Sequence, residues 1–159
     1  ARSPMPTARN HMGDGGSVNG KIYVIGGRLS GAFIIAMPGN TDLVQEYDPA
    51  ADAWATKTPM PTARSGLNSA TLNGIIYVAG GEVRTYQYLA AFRAFEAYDP
   101  ASNTWWQLPP MPSPRHECAM AALGNRIHIV GGAVQSAIVP PVQGVSFGTP
   151  AHDAFEIAL

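Results

Sequence analysis

Three times along this chain a Met-Pro pair leads directly to an arginine: Met5-Pro6-Thr7-Ala8-Arg9, Met60-Pro61-Thr62-Ala63-Arg64 and Met111-Pro112-Ser113-Pro114-Arg115. The methionines stand 55 and 51 residues apart. A period of that length restricts the fold severely, because each repeat is one supersecondary unit that buries its apolar face only by stacking on the next. The punctuation agrees. Gly (17) and Pro (14) make up 31 of 159 residues, well above the ordinary share of about 12%, which suits short strands joined by tight turns and not a helical bundle.

The rest of the repeat follows in fixed order. A turn (Val18-Asn19-Gly20, Leu72-Asn73-Gly74, Leu123-Gly124-Asn125) precedes an apolar run that ends in paired glycines, Gly26-Gly27, Gly80-Gly81 and Gly131-Gly132. Past a variable stretch, Tyr47-Asp48-Pro49 leads to Trp54, and Tyr98-Asp99-Pro100 leads to Trp105. The second repeat predicts four strands. The first covers about 66–72 and the second 75–79. The third covers about 94–98, and the fourth starts near Trp105 and fades at Pro109-Pro110, since proline cannot donate a ladder bond. These residues resemble the kelch family, and the spacing is close to its period of about 50.

The resemblance implies an all-β fold: a kelch-type β-propeller of three four-stranded antiparallel blades, the third incomplete, which make half of a six-bladed ring. Residues 1–159 form a single kelch-repeat domain on this reading, with repeats at about 7–59, 62–110 and 113–159. Residues 1–6 match the tail of an outer blade strand. Two places depart from the pattern. The first strand of repeat one is rich in glycine and should be locally soft or contain a bulge. In repeat three, 155–159 align with 95–99, without the Tyr, the Asp-Pro or a fourth strand.

Composition excludes several roles. Net charge is −1 and only 13% of residues are charged, which argues against binding nucleic acid by phosphate neutralisation and against a polybasic membrane binder. No apolar run approaches the roughly 20 residues of a membrane span. One cysteine, Cys118, forms no internal disulfide framework and leaves the compartment open. The first residues show neither Met nor an apolar signal segment, so a processed or truncated start is expected.

The candidate binding face carries the arginines and the stretches 28–42, 82–93 and 133–152, read as loops without structure of their own. Arg9, Arg64 and Arg115 have two readings. One is a ring of forked donors that grips carboxylates, as the resemblance to kelch adaptors implies. The other, favoured by the regular recurrence, is hydrogen bonding to backbone carbonyls between blades. His11 and His116 lie beside them at the same mouth. Apolar runs at 33–37, 86–89 and 137–141 would line a pocket, a protein interface or a contact with further blades.

No spaced Cys/His pattern suggests a metal, and no cofactor is expected. Tyr47, Tyr98, Trp54 and Trp105 are read as packing blade on blade, and His128 as a packed strand residue. The glycine pairs are read as positive-φ or close-approach positions, not phosphate loops.

The leading function is a non-catalytic recognition scaffold, bacterial in type, that binds a protein segment or a small anionic ligand. The alternatives are a carbohydrate-active enzyme resembling sialic acid mutarotase and a propeller fragment without activity of its own. A copper site like that of galactose oxidase cannot be assembled from these residues. A homodimer closing a six-bladed ring is the expected assembly, with missing blades of the same parent chain filling the gap as the alternative.

Overall fold

A computed structural model describes residues 1–13, 15–29, 39–84, 89–135 and 146–158. The apolar runs at 33–37 and 137–141, and most of 86–89, lie outside the described residues.

Blade 1 consists of β1 (Gly16–Val18), β2 (Lys21–Ile25), β3 (Val44–Asp48) and β4 (Ala53–Lys57), hydrogen-bonded in that order. Blade 2 repeats the order with β5 (Asn68–Leu72), β6 (Ile75–Ala79), β9 (Phe95–Asp99) and β10 (Thr104–Gln107). Blade 3 has three strands, β11 (Ala119–Leu123), β12 (Arg126–Val130) and β15 (His152–Glu156). All pairs are antiparallel. The innermost strands β1, β5 and β11 lie side by side, as the inner wall of a propeller requires.

Local chemistry sets the corners. Asn19-Gly20 and Asn73-Gly74 hold positive φ at both residues, the turn that matches strand twist in a tight hairpin. After Asp48 and Asp99 the chain turns because each carboxylate accepts backbone N–H groups two or three residues on. β1 is short for a packing reason. A Cβ on Gly16 would stand 2.7 Å from the Ile76 side chain of blade 2, so the glycine lets the neighbouring blade approach.

Apolar burial is concentrated between blades. Val18, Tyr23, Ile25 and Val44 of blade 1 pack with Leu67, Ile76, Val78 and Tyr98 of blade 2. Tyr77, Ala79, Phe95 and Ala97 of blade 2 meet Ile127, Ile129 and Phe155 of blade 3. The rings hold these seams: Tyr23 meets Tyr98 edge-on at 6.0 Å, and Phe95 lies 4.6 Å from Phe155.

Three expectations need correction. The stretches after the second and third glycine pairs carry hairpins, β7 (Glu82–Arg84) with β8 (Leu89–Ala91) and β13 (Ala133–Gln135) with β14 (Ser146–Gly148). In blade 1, among the described residues, a bridge from Arg28 to Asn40 takes that place.

The third strand of repeat three is His152–Glu156, not 155–159. Phe155 stands opposite Ile127 as Tyr98 stands opposite Ile76. An odd slip exchanges the two faces of a strand, and this register turns Phe155 inward onto Phe95.

His128 is not packed among apolar side chains. Its Nδ1 lies 3.0 Å from His152 Nε2 on the open side of blade 3.

Candidate functional site: the inner lip of the loop face

The residue after each repeated arginine pairs with the residue after each glycine pair: Asn10 with Arg28, Ser65 with Glu82, and His116 with Ala133. These bridges place one polar step per blade where the D-to-A and B-to-C connections meet. The steps are joined across the seams. Arg28 Nη2 of blade 1 lies 3.0 Å from Glu82 Oε1 of blade 2, and His116 Nδ1 of blade 3 lies 3.8 Å from Glu82 Oε2. Asn40 donates to the Glu82 carbonyl at 2.8 Å. Glu82 and His116 are both buried, so this three-blade chain forms the floor of the lip, not its surface.

Above the floor, the Gly66 N–H donates to the His11 carbonyl and the Glu117 N–H donates to the Gly66 carbonyl, each at 2.8 Å. All three residues hold positive φ: His11 at 53°, Gly66 at 61° and Glu117 at 53°. Only glycine takes that region freely, and non-glycine residues held there cost about 1–3 kcal/mol each. Strain of this kind concentrates at binding surfaces. His11 and Glu117 are also the exposed side chains of the lip. Sequence reading found His11 from its place after the arginine. It placed His116 and the adjacent Glu117 at the same mouth but did not read Arg28 and Glu82 as partners, because their meeting depends on how blades dock.

The repeated arginines do something else. Arg64 is fully buried and donates to the carbonyls of Gly80 (2.6 Å), Thr62 (2.9 Å) and Val78 (3.3 Å), with Nη1 2.6 Å from Glu96 Oε2. Burial pulls its pKa down, against the pull of Glu96. Arg9 makes the same set with Gly26, Val24 and Gln45, and Arg115 pairs with Asp153. Gripping a ligand carboxylate is therefore corrected: the forks are spent inside the chain. The competing reading also needs correcting, because the side chains bond within their own blade. It is the arginine backbone that crosses the seam, where the Gly27 N–H donates to Arg64 O and the Gly81 N–H to Arg115 O.

Both glycines of each pair hold positive φ, 64° and 111° at Gly80 and Gly81. A Cβ on Gly80 would stand 2.4 Å from the Arg115 carbonyl oxygen. The others, Gly26, Gly27, Gly131 and Gly132, share that backbone.

Tyr47 stacks on Trp54 and Tyr98 on Trp105, with centroids 5.0 and 4.9 Å apart. The Trp105 indole N–H donates to Thr58 O across the first seam, and the Trp54 N–H donates to Ser3 O, both at 3.0 Å. Cys118 is buried behind His116, and burial pushes its thiol up. Among the described residues no three of His, Cys, Asp and Glu come together as a metal-binding group.

A family model of the Kelch motif matches residues 15–61 and 63–112. The chain belongs to the kelch-repeat family. It is 34% identical to Kelch-like protein terF of Aspergillus terreus, over 98% of this chain and 33% of that protein. With beta-scruin of Limulus polyphemus it shares 32% identity over 83% of this chain and 14% of that protein. The kelch chain thus spans a third or less of the length of these relatives. A solved structure titled "Structure of YjhT" superposes on 91% of the chain and 56% of its own length, with a TM-score of 0.69 and 16% identity. The likeness is one of fold: three kelch blades.

Proposed function

We propose that this chain is a non-catalytic recognition scaffold that binds a protein segment across the inner lip of its loop face. The observation that carries the reading is the pair of exposed side chains, His11 and Glu117, held at positive φ over the buried Arg28–Glu82–His116 floor. A rigid polar edge of this kind offers donors and acceptors already in place, which lowers the ordering cost of binding. Relatives named for association support a protein partner: Kelch-like ECH-associated protein 1A of Danio rerio and the Influenza virus NS1A-binding protein homolog of Mus musculus. A small anionic ligand is less favoured, since Arg9, Arg64 and Arg115 are committed within the blades and Arg28 is paired with Glu82. The carbohydrate-active reading loses the same arginines as holders of a sugar carboxylate.

The test is selection from a displayed peptide library on the immobilised chain. Rebinding is then measured on His11→Gly with Glu117→Gly, and on Ser102→Ala at the opposite end of the blades. Glycine removes each side chain and relieves its backbone strain, so the double variant should fold as well as the parent. Peptides that bind the parent and Ser102→Ala but lose at least tenfold on the lip variant support the reading. Peptides that bind all three equally overturn it.

A further inference from the structure

A cavity of about 190 Å³ opens on the outer half of blade 2 and shares no residue with the lip. Its walls are Thr62 from the connection that enters the blade, Ala94 and Glu96 where β9 begins, and Gln107, Leu108 and Pro110 where β10 ends. The register of the blade builds it. Gln107 stands opposite Glu96, and the Leu108 N–H donates to Phe95 O at 2.9 Å, so the last rungs of the outer hairpin form one side. The Thr62 hydroxyl donates to Glu96 Oε1 at 2.7 Å and ties the entering connection to that side. Blade 1 carries a larger side chain at the same place. Leu43 and Ala94 correspond, since the carbonyl of each accepts from the first glycine of its pair, Gly26 or Gly80.

Size and chemistry restrict the occupant. The volume falls below the ~300–1,000 Å³ of clefts that take drug-sized ligands, but it exceeds the ~150 Å³ that admits one benzene ring. Ala94, Phe95, Leu108 and Pro110 give such a ring apolar surface to lie against. Glu96 is the only charged residue of the wall, is 1% exposed, and is already paired with Arg64 at 2.6 Å. A cation entering here would be a second positive group beside one buried carboxylate, and an anion would face that carboxylate directly. Both would be desolvated with nothing on the wall to offset the cost. A neutral donor avoids it. Each carboxylate oxygen accepts about two hydrogen bonds, and Thr62 and Arg64 take one on each. The chain makes the matching bond itself in blade 1, where the Tyr23 hydroxyl donates to the buried Glu46 Oε2 at 2.6 Å.

We propose that this cavity binds a phenol, with the ring on the apolar wall and the hydroxyl donating to Glu96. The exposed Gln107 amide, opposite Glu96 on β10, supplies an N–H able to donate back to the same hydroxyl oxygen. Two sources share this chemistry: a tyrosine side chain of a bound protein segment and a free phenolic molecule. The proposal rests on the cavity alone and stands apart from the lip, so its failure leaves the recognition reading to its own variants.

The test is an NMR titration of the chain with 4-methylphenol, with toluene and the cationic 4-methylbenzylamine as comparators. The phenol should saturate with a dissociation constant of roughly 1 mM, ordinary for so small a ligand. Toluene and the amine should bind at least tenfold more weakly. Nuclear Overhauser contacts from the phenol ring to the Leu108 methyls should locate it. Ala94→Leu gives blade 2 the side chain that blade 1 carries and should abolish saturation, with circular dichroism unchanged. Acetyl-Gly-Tyr-Gly-amide separates the two sources. If it displaces 4-methylphenol and its phenylalanine counterpart does not, the occupant is a side chain of a protein segment; a phenol that binds while the peptide does not is a free ligand, and either result supports the site. No saturation by about 10 mM, binding of toluene or the amine as tight as that of the phenol, or full binding to Ala94→Leu would each overturn the proposal.

Discussion

Replacing Arg64 by alanine removes a fork with four acceptors, and the cost follows from what stays behind. Glu96 is 1% exposed and loses its cation, while the carbonyls of Gly80 and Val78 lose their donors. Breaking a buried pair by deleting one partner costs about 3–5 kcal/mol, and abandoned buried carbonyls cost a further ~1–3 kcal/mol each before water enters. We expect a loss of at least about 4 kcal/mol, a large part of the roughly 5–15 kcal/mol that holds an ordinary domain together. Glu96→Gln is the contrasting change. Blade 1 already uses Gln45 to accept from Arg9, so the chain itself shows that a neutral amide fits; we expect about 1–2 kcal/mol. Urea unfolding followed by the fluorescence of Trp54, Trp105 and Trp106 measures both. A loss below about 1 kcal/mol for Arg64→Ala, or a larger loss for Glu96→Gln than for Arg64→Ala, would refute the claim that the guanidinium organises the blade.

Gly80→Val should cost about 3 kcal/mol or more, because a β-branched residue would take φ 64° with its Cβ against Arg115 O. Gly124→Ala has φ 59° but open space around the Cβ and should cost only about 1–2 kcal/mol; thermal melts that rank the two the other way reject the close-approach argument. Burial pushes Glu46 up, but donation from Lys21, Tyr23 and Lys57 outweighs it and holds the carboxyl at about 2. A depressed carboxylate stabilises above its unfolded value and loses that contribution as pH falls. Stability should therefore drop between about pH 5 and pH 2, by on the order of 3 kcal/mol, and Glu46→Gln should flatten the urea midpoint across that window. Cys118 should react with a thiol reagent at neutral pH only as fast as the chain opens, since its thiol is buried and pushed up; instant labelling in the folded state would contradict its placement.

The blade order was legible because turn and strand chemistry are local. Asn73-Gly74 and the run Ile75–Ala79 mark a hairpin within one stretch of chain, and β6 has those bounds. What the sequence hid depends on seams. Phe155-Glu156 resembles Phe95-Glu96 letter for letter, yet the strand settles three residues away, because burying Phe155 on Phe95 outweighs the likeness. The arginine motif was visible, but its use was not. Whether a fork faces a ligand or a carbonyl is decided by Gln45, Glu96 and Asp153, one strand over in space and some 36 residues away in sequence for the Arg9 pair. The ion pairs beneath the lip escaped notice for the same reason, since Arg28, Glu82 and His116 come from three different blades.

The tryptophan latch has a consequence for how such chains change size. Both described copies bind the same backbone atoms, at Ser3 and at Thr58, two residues ahead of the Met-Pro pair. An asparagine or an aspartate serves equally at the partner position. A recombination event that joins or removes chain at Met-Pro therefore adds or deletes a whole blade with both of its mating surfaces intact. Propellers built on this joint can gain or lose members by duplication while every junction stays chemically the same, so ring size can evolve faster than the blade.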